Sequence, residues 1–221
     1  MGTFNRGDTV TKVEPLECKI AAAMLPFSAS CERNKDPILE VLRIRFADRS
    51  QVLEIGSGTG QHAVYFSRAL GHLTWHPTEQ LACLQDLTER VKLEGPVNLR
   101  TPTVLDVRQA LWPVRSVDGL FTANTLHIMS WSEVAAFYCG VGAVLSPHGV
   151  LCVYGPFRYE GRYTSDSNRE FDRMLQDRDP NSGLRDIREI TALALQYGLR
   201  LDEDHDLPAN NRLLVFAKEP G

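Results

Sequence analysis

Seven short apolar runs alternate with helical stretches along this chain, and the last two stand too close together for a helix to fit between them. The strand-like runs are Gln51–Ile55, His72–Pro77, Asn98–Leu105, Val117–Ala123, Val150–Tyr154, Leu199–Asp204 and Leu213–Lys218, most of them bounded by Gly, Pro, Asp or Asn. Between the first five lie stretches of helical spacing, Gln61–Leu70, Leu81–Leu93 and Trp131–Leu145. That alternation predicts a parallel sheet covered by helices on both faces. The last two runs are joined by "DHDLPANN". A parallel crossover needs about a dozen residues, so the last strand is predicted antiparallel. The expected fold is α/β: a Rossmann-like, doubly wound, seven-stranded sheet, mostly parallel with an antiparallel last strand.

The 221 residues suit one domain, 1–221. Residues 1–48 read as an N-terminal lid and a helix. In that segment "PILEVLRIRF" is expected to enter its helix at Pro37 with Asp36 as cap. Residues 49–221 read as the sheet, with an inserted helix around 160–180, centred on Ser167–Gln176. Arg185–Tyr197 reads as a further helix stopped by Gly198. The five cysteines, Cys18, Cys31, Cys83, Cys139 and Cys152, are scattered and never form CxxC. They read as reduced thiols of a cytoplasmic protein, without a metal site. The N-terminus lacks the apolar core of a signal peptide, and no apolar run reaches membrane-spanning length, so no membrane partner is expected. A net charge of −4 argues against a nucleic-acid partner.

The strongest local signal is "VLEIGSGTGQH", Val52 to His62. A phosphate loop needs a lysine after its last glycine, and here Gly60 is followed by Gln61. A nicotinamide loop needs GxGxxG, which Gly56-Ser57-Gly58-Thr59-Gly60 misses by one position. A third reading fits better: Glu54 precedes the glycines, and an acid at the loop mouth suits a cationic ligand but repels a pyrophosphate. S-adenosylmethionine carries an amino group and a sulfonium, and its chain needs close approach to a glycine backbone. Glu79, about twenty residues further on, is placed to take both ribose hydroxyls. Asp106 is placed for the adenine amine, with Val107 donating its N–H. "TANTLHIM" brings Asn124, Thr125 and His127 to the same carboxyl edge of the sheet, where ligands of open α/β sheets bind.

These residues resemble the class I S-adenosylmethionine-dependent methyltransferases. More closely, the blocks "ERNKDPILEVL", "VLEIGSGTGQHAVYFS", "LTWHPTE", "NTLHIMSW", "GVLCVYGPF", "SNREFDRML", "GLRD" and "LPANNRLLVFAK" resemble the methyltransferase-like protein 26 family, formerly a domain of unknown function. Glu79 stands where that family commonly has aspartate, a swap that preserves ribose chemistry. The resemblance implies the fold, methyltransferase activity and S-adenosylmethionine, but fixes the substrate poorly. Expected cofactor contacts are Glu54, Gly56, Ser57, Gly58, Gly60, His62, Thr78, Glu79, Asp106, Val107, Asn124 and Thr125.

Methyl transfer from a sulfonium needs alignment, and a base where the acceptor is not already ionised. His127 is the candidate base, with packing under its loop as the alternative, and Tyr154 is the second candidate catalytic group. Glu32, Arg33, Asn34, Asn168, Arg185 and Asn210 are the candidate substrate contacts. Asn210 and Asn211 read equally as turn residues tolerating left-handed φ. Arg33, Arg158 and Arg185 in these blocks suit a small acidic metabolite. Methylation of protein or RNA, and cofactor binding without turnover, are the alternatives.

Overall fold

The computed structural model describes residues 25–220. The readings made of the extreme N-terminus and of Cys18 lie outside them. The strands β1 (Gln51–Ile55), β2 (Thr74–Glu79), β3 (Thr103–Val104), β4 (Val117–Ala123) and β5 (Leu145–Gly155) pair in parallel. Three short strands follow, β6 (Phe157–Tyr159), β7 (Arg162–Tyr163) and β8 (Arg185–Asp186), and make a separate small sheet. Then β9 (Leu199–Leu207) and β10 (Asn211–Lys218) close the main sheet. Its spatial order is β3-β2-β1-β4-β5-β10-β9, and β10 runs antiparallel to both neighbours. The short link therefore does what its length dictates: Ala209 and Asn210 turn it at φ 63° and 57°.

Among the described residues six α-helices flank the strands: α1 (Ala29–Arg45), α2 (Gln61–Ala69), α3 (Leu84–Glu94), α4 (Trp131–Val144), α5 (Asp166–Arg178) and α6 (Ile187–Gln196). Alternation along β1 sends Leu53 and Ile55 to one face and Val52 to the other. The first face packs on Val134, Phe137 and Val141 of α4 and on Ile190 and Ala194 of α6. The second packs on Ile38 and Leu42 of α1 and on Ala63 and Phe66 of α2. Each such apolar side chain contributes about 1.5–3 kcal/mol when fully buried.

Two elements differ from the sequence reading. Helix α1 begins at Ala29, not Pro37, because Ser28 caps it by accepting the Cys31 N–H at 3.3 Å. Pro37 sits inside the helix and removes one backbone bond. Burial of Ile38, Leu39, Val41 and Leu42 just beyond it offsets that loss. The third strand shrinks to Thr103–Val104 because Pro102 has no N–H for the ladder. Upstream, only a bridge between Trp75 and Leu99 remains. The small sheet was not expected, since strands of two or three residues carry no readable period.

Of the segment expected to act as a lid, residues 1–24 lie outside the described residues, and residues 29–36 form the first half of α1. Its N-terminus is fixed beside the glycine loop: the Ser28 N–H donates to Gln61 Oε1 at 2.5 Å, and Gln61 Nε2 donates back to the Ser28 carbonyl at 3.3 Å.

Candidate active site

At the carboxyl edge of the sheet the chain leaves β1 through the glycine loop. Gly56 has φ 70°, and a Cβ there would lie 2.6 Å from Thr125 Cγ2, so no other residue fits. Gly58 has φ 55°, and a Cβ built on it meets no atom within 4 Å. The space over Gly58 belongs to a cavity of about 450 Å³, within the usual size for a small-ligand site. Gly56, Gly58, Glu79, Leu105, Val107, Asn124 and Thr125 line it.

Glu79 sits at its wall with both oxygens engaged. Oε2 accepts the Gly58 N–H at 2.7 Å and Oε1 accepts the Gln80 N–H at 2.7 Å. Each oxygen keeps a lone pair for a further donor. Gln80, Cys83, Ile128, Met129, Glu133 and Arg178 also reach this cavity and were not anticipated. No motif marks them. Glu133, for instance, reads from sequence only as the partner of Ser130 in the capping box of α4.

Several expected cofactor contacts turn out to build the loop instead of facing the cavity. Ser57 donates its N–H to the Thr78 carbonyl at 2.9 Å and accepts the Thr78 N–H at 3.2 Å. Thr78 Oγ1 donates to the Glu54 carbonyl at 2.6 Å. Gly60 packs against Leu87 and Arg90. Glu54, expected at the loop mouth, is only 2% exposed and accepts the Trp75 indole N–H at 2.8 Å. Strand alternation turns its side chain to the α1–α2 face, and burial raises its pKa to about 7. His62 faces the same layer: its Nε2 lies 2.7 Å from Asn34 Oδ1 and its ring stacks on Phe66. Burial lowers its pKa to about 4. Asp106 is held below the usual carboxylate range by the Arg108 side chain, whose Nε donates to Oδ1 at 2.9 Å, and does not line the cavity.

A second cavity, of about 660 Å³, opens on the other side of Asn124. Asn124 lines both. It has φ 58°, tolerated by Asn, and its N–H donates to the Tyr154 carbonyl at 2.8 Å. Arg33 and Asn34 from α1, Asn124 and His127 after β4, Tyr154 from β5, Asn168 and Phe171 from α5, and Asn211 from β10 converge here. Among the described residues no carboxylate lines this cavity. Asn168 is anchored by donating to Thr164 Oγ1 at 2.7 Å and to the Asn210 carbonyl at 3.0 Å.

The His127 imidazole is buried, meets the Phe171 ring edge to face at 5.2 Å, and has no side-chain hydrogen bond among the described residues. Desolvation, then the nearby Arg185 charge, lowers its pKa to about 4, so it is neutral at pH 7. The Tyr154 hydroxyl, within reach of the Asn34 and Asn211 side chains, has its pKa raised by burial and stays protonated.

Three expected substrate contacts do not reach this cavity. Glu32 pairs with Lys35 and borders a separate hollow with His62 and Arg90. Arg185 turns to backbone carbonyls: Nε donates to Leu126 at 3.1 Å, and one terminal nitrogen donates to Met129 and to Asn181, the latter at 3.0 Å. It thereby holds the loop that carries His127. Asn210 occupies the turn and offers only its carbonyl, while Asn211 takes the place at the lining. Pro156, Phe171, Pro208 and Ala209 complete the apolar side and were not anticipated.

A Rossmann-like sheet with this strand order and two cavities meeting at its carboxyl edge defines the methyltransferase fold. The chain belongs to the DUF938 family, described as a protein of unknown function, whose model matches residues 25–218. Among solved structures it is similar to an O-methyltransferase family protein from Burkholderia thailandensis, with TM-score 0.74 and 15% identity over 87% of this chain and 58% of that one. It is similar to human N-acetylserotonin methyltransferase in complex with S-adenosylmethionine, with TM-score 0.74 and 13% identity over 92% of this chain and 56% of that one. The mitomycin 7-O-methyltransferase MmcR matches with TM-score 0.71 and 16% identity, over 84% and 54%. The chain thus spans less than two thirds of each of these structures, and at such identities the likeness is one of fold.

Proposed function

We propose that this protein transfers a methyl group from S-adenosylmethionine to a small acidic molecule. The observation that carries this reading is the position of Asn124, which borders both the glycine-loop cavity and the larger polar cavity. A donor in the first and an acceptor in the second would meet at that residue, the arrangement that an in-line displacement needs.

The glycine-loop cavity fits the donor. Gly58 leaves room for a chain over the backbone, Glu79 offers its carboxylate to ribose hydroxyls, and Leu105 and Val107 give an apolar wall for adenine. S-adenosylmethionine supplies an electrophilic methyl on a cationic sulfur. The chain's own residues bind and orient the two partners and exclude water between them.

The acceptor cavity favours an acid. Arg33 is cationic, the amides of Asn34, Asn124, Asn168 and Asn211 supply donors, and no carboxylate among the described residues opposes an anion. Its volume suits a metabolite, and a net charge of −4 gives no support to a nucleic-acid target. The resemblance to the methyltransferase-like protein 26 family and a cytoplasmic location belong with this reading.

The test is transfer of label from methyl-labelled S-adenosylmethionine to the small-molecule fraction of the cells that make the protein, with adenosylhomocysteine appearing in equal amount. Arg33→Ala is expected to raise the KM for the acceptor tenfold or more. Label appearing only in protein or RNA would point to a macromolecular substrate. Tight binding without any transfer would point to a non-catalytic binding protein.

A further inference from the structure

We infer that the acceptor atom is a carboxylate oxygen and that the product is a methyl ester. The inference rests on the function proposed above and adds the class of atom that takes the methyl.

Among the described residues the acceptor cavity holds hydrogen-bond donors without a proton acceptor suited to a neutral nucleophile. No described Asp or Glu lines it. Asp172, next to Phe171 on α5, is 2% exposed, and its two oxygens already accept from the Leu184 N–H at 2.6 Å, the Tyr163 hydroxyl at 2.6 Å and Gln176 at 3.2 Å. Among the described residues His127 has no carboxylate to stabilise an imidazolium: Phe171 covers it from α5, and the Arg185 charge nearby opposes a second cation. Tyr154 keeps its proton. A phenol, thiol or ammonium acceptor would have to lose a proton at or before transfer, and this wall offers it no good destination. A carboxylate is ionised at neutral pH and needs none.

The donors suit that acceptor. Asn124, where the two cavities meet, and the neutral His127 ring beside it present uncharged groups. Neutral donors orient a carboxylate without quenching its charge, whereas a bidentate guanidinium would hold it more tightly and make it less nucleophilic. Among the described residues Arg33 is the one guanidinium of the wall; it is exposed and its side chain bonds there only to Ser30 Oγ, at 3.5 Å. That position draws an anion inward.

The step balances without a proton. A carboxylate oxygen lone pair forms the new O–CH₃ bond, the methyl–sulfur bond breaks, and its electron pair stays on sulfur. An anion and a cation become a neutral ester and a neutral thioether. Such a loss of charge is favoured by a site that excludes water.

Alkaline lability tests the inference. The protein is incubated with S-adenosylmethionine tritiated in the methyl group and a deproteinised extract of the cells that make it, and the product is treated with mild alkali. Esters release their label as volatile methanol, while ethers, thioethers and methylamines retain it. Most of the transferred label is expected to become volatile. Label that stays non-volatile overturns the inference and leaves the methyltransferase reading standing. Failure to transfer any label overturns both, and calorimetry with S-adenosylmethionine then shows whether the cofactor site failed too. A second readout needs no turnover. The His127 imidazole resonances in the adenosylhomocysteine complex are expected not to titrate between about pH 5.5 and 8.5. Titration near neutrality would provide the missing proton acceptor and overturn the inference.

Discussion

The backbone N–H of Gly58 donates to Oε2 of Glu79 at 2.7 Å, tying the glycine loop to the end of the neighbouring strand. The same carboxylate accepts the Gln80 N–H. One side chain thus shapes the loop and walls the glycine-loop cavity. Glu79→Ala removes both acceptors and the ribose contact proposed above. Losing a charged hydrogen bond costs about 1–3 kcal/mol, so S-adenosylmethionine affinity should fall roughly five- to 150-fold. Titration calorimetry on wild type and variant checks this, and an unchanged affinity would remove Glu79 from the site.

Asn124 combines a left-handed backbone with a side chain at both cavities. Substitution separates the two roles. Asn124→Gly tolerates φ 58° and should cut methyl transfer while leaving Tm nearly unchanged. Asn124→Ala should lose activity too and also carry about 1 kcal/mol of strain, a drop of about 2–4 °C in Tm for a chain of this size. Paired melting curves and rates distinguish them.

Glu54 is a buried acid whose folded-state pKa rises from 4.5 to about 7. Between those values the native state holds a proton that the unfolded state has released. Its contribution to stability is therefore full below about pH 4.5 and is lost as pH rises through about 7. Glu54→Gln abolishes this dependence while its amide oxygen can still accept from Trp75. Relative to wild type, the variant should gain up to about 3 kcal/mol between pH 5 and 8. Denaturant midpoints across that range measure it.

Arg185 holds three carbonyls, those of Leu126, Met129 and Asn181. Arg185→Met should loosen residues 126–129 and misplace His127 without touching the substrate. The expected signature is a lower kcat with little change in KM, together with faster amide exchange in that loop. Arg185→Lys, with one donor group in place of a fork, should restore part of the rate. An effect on KM alone would place Arg185 in contact with substrate instead.

The sheet was legible in the sequence because each strand is a short apolar run and the link "DHDLPANN" is too short for a crossover. Gly56, Gly58 and Glu79 could be placed beside a cavity because loop geometry dictates residue type, whereas Gly60 packs on Leu87 and Arg90. Glu54 and His62 were misread for one reason: sequence places a residue at a strand end or helix start but does not say which face takes its side chain, and both turn to the α1–α2 layer. Arg185 and Asn210 were misread because backbone carbonyls and turn geometry, invisible in sequence, claim them. Phe171 was missed because an aromatic on a polar helix carries no mark of a cavity, and Pro37 misled because a proline favours a helix start but does not require one.

The cavity over Gly58 and beside Glu79 is expected to hold the methyl donor. Calorimetry of the full chain with S-adenosylmethionine, and separately with NAD, decides it. Saturable one-to-one binding of S-adenosylmethionine, weakened by Glu79→Ala, is the expected result, with no measurable heat from NAD. Absence of binding to S-adenosylmethionine, or tighter binding of NAD, would contradict it.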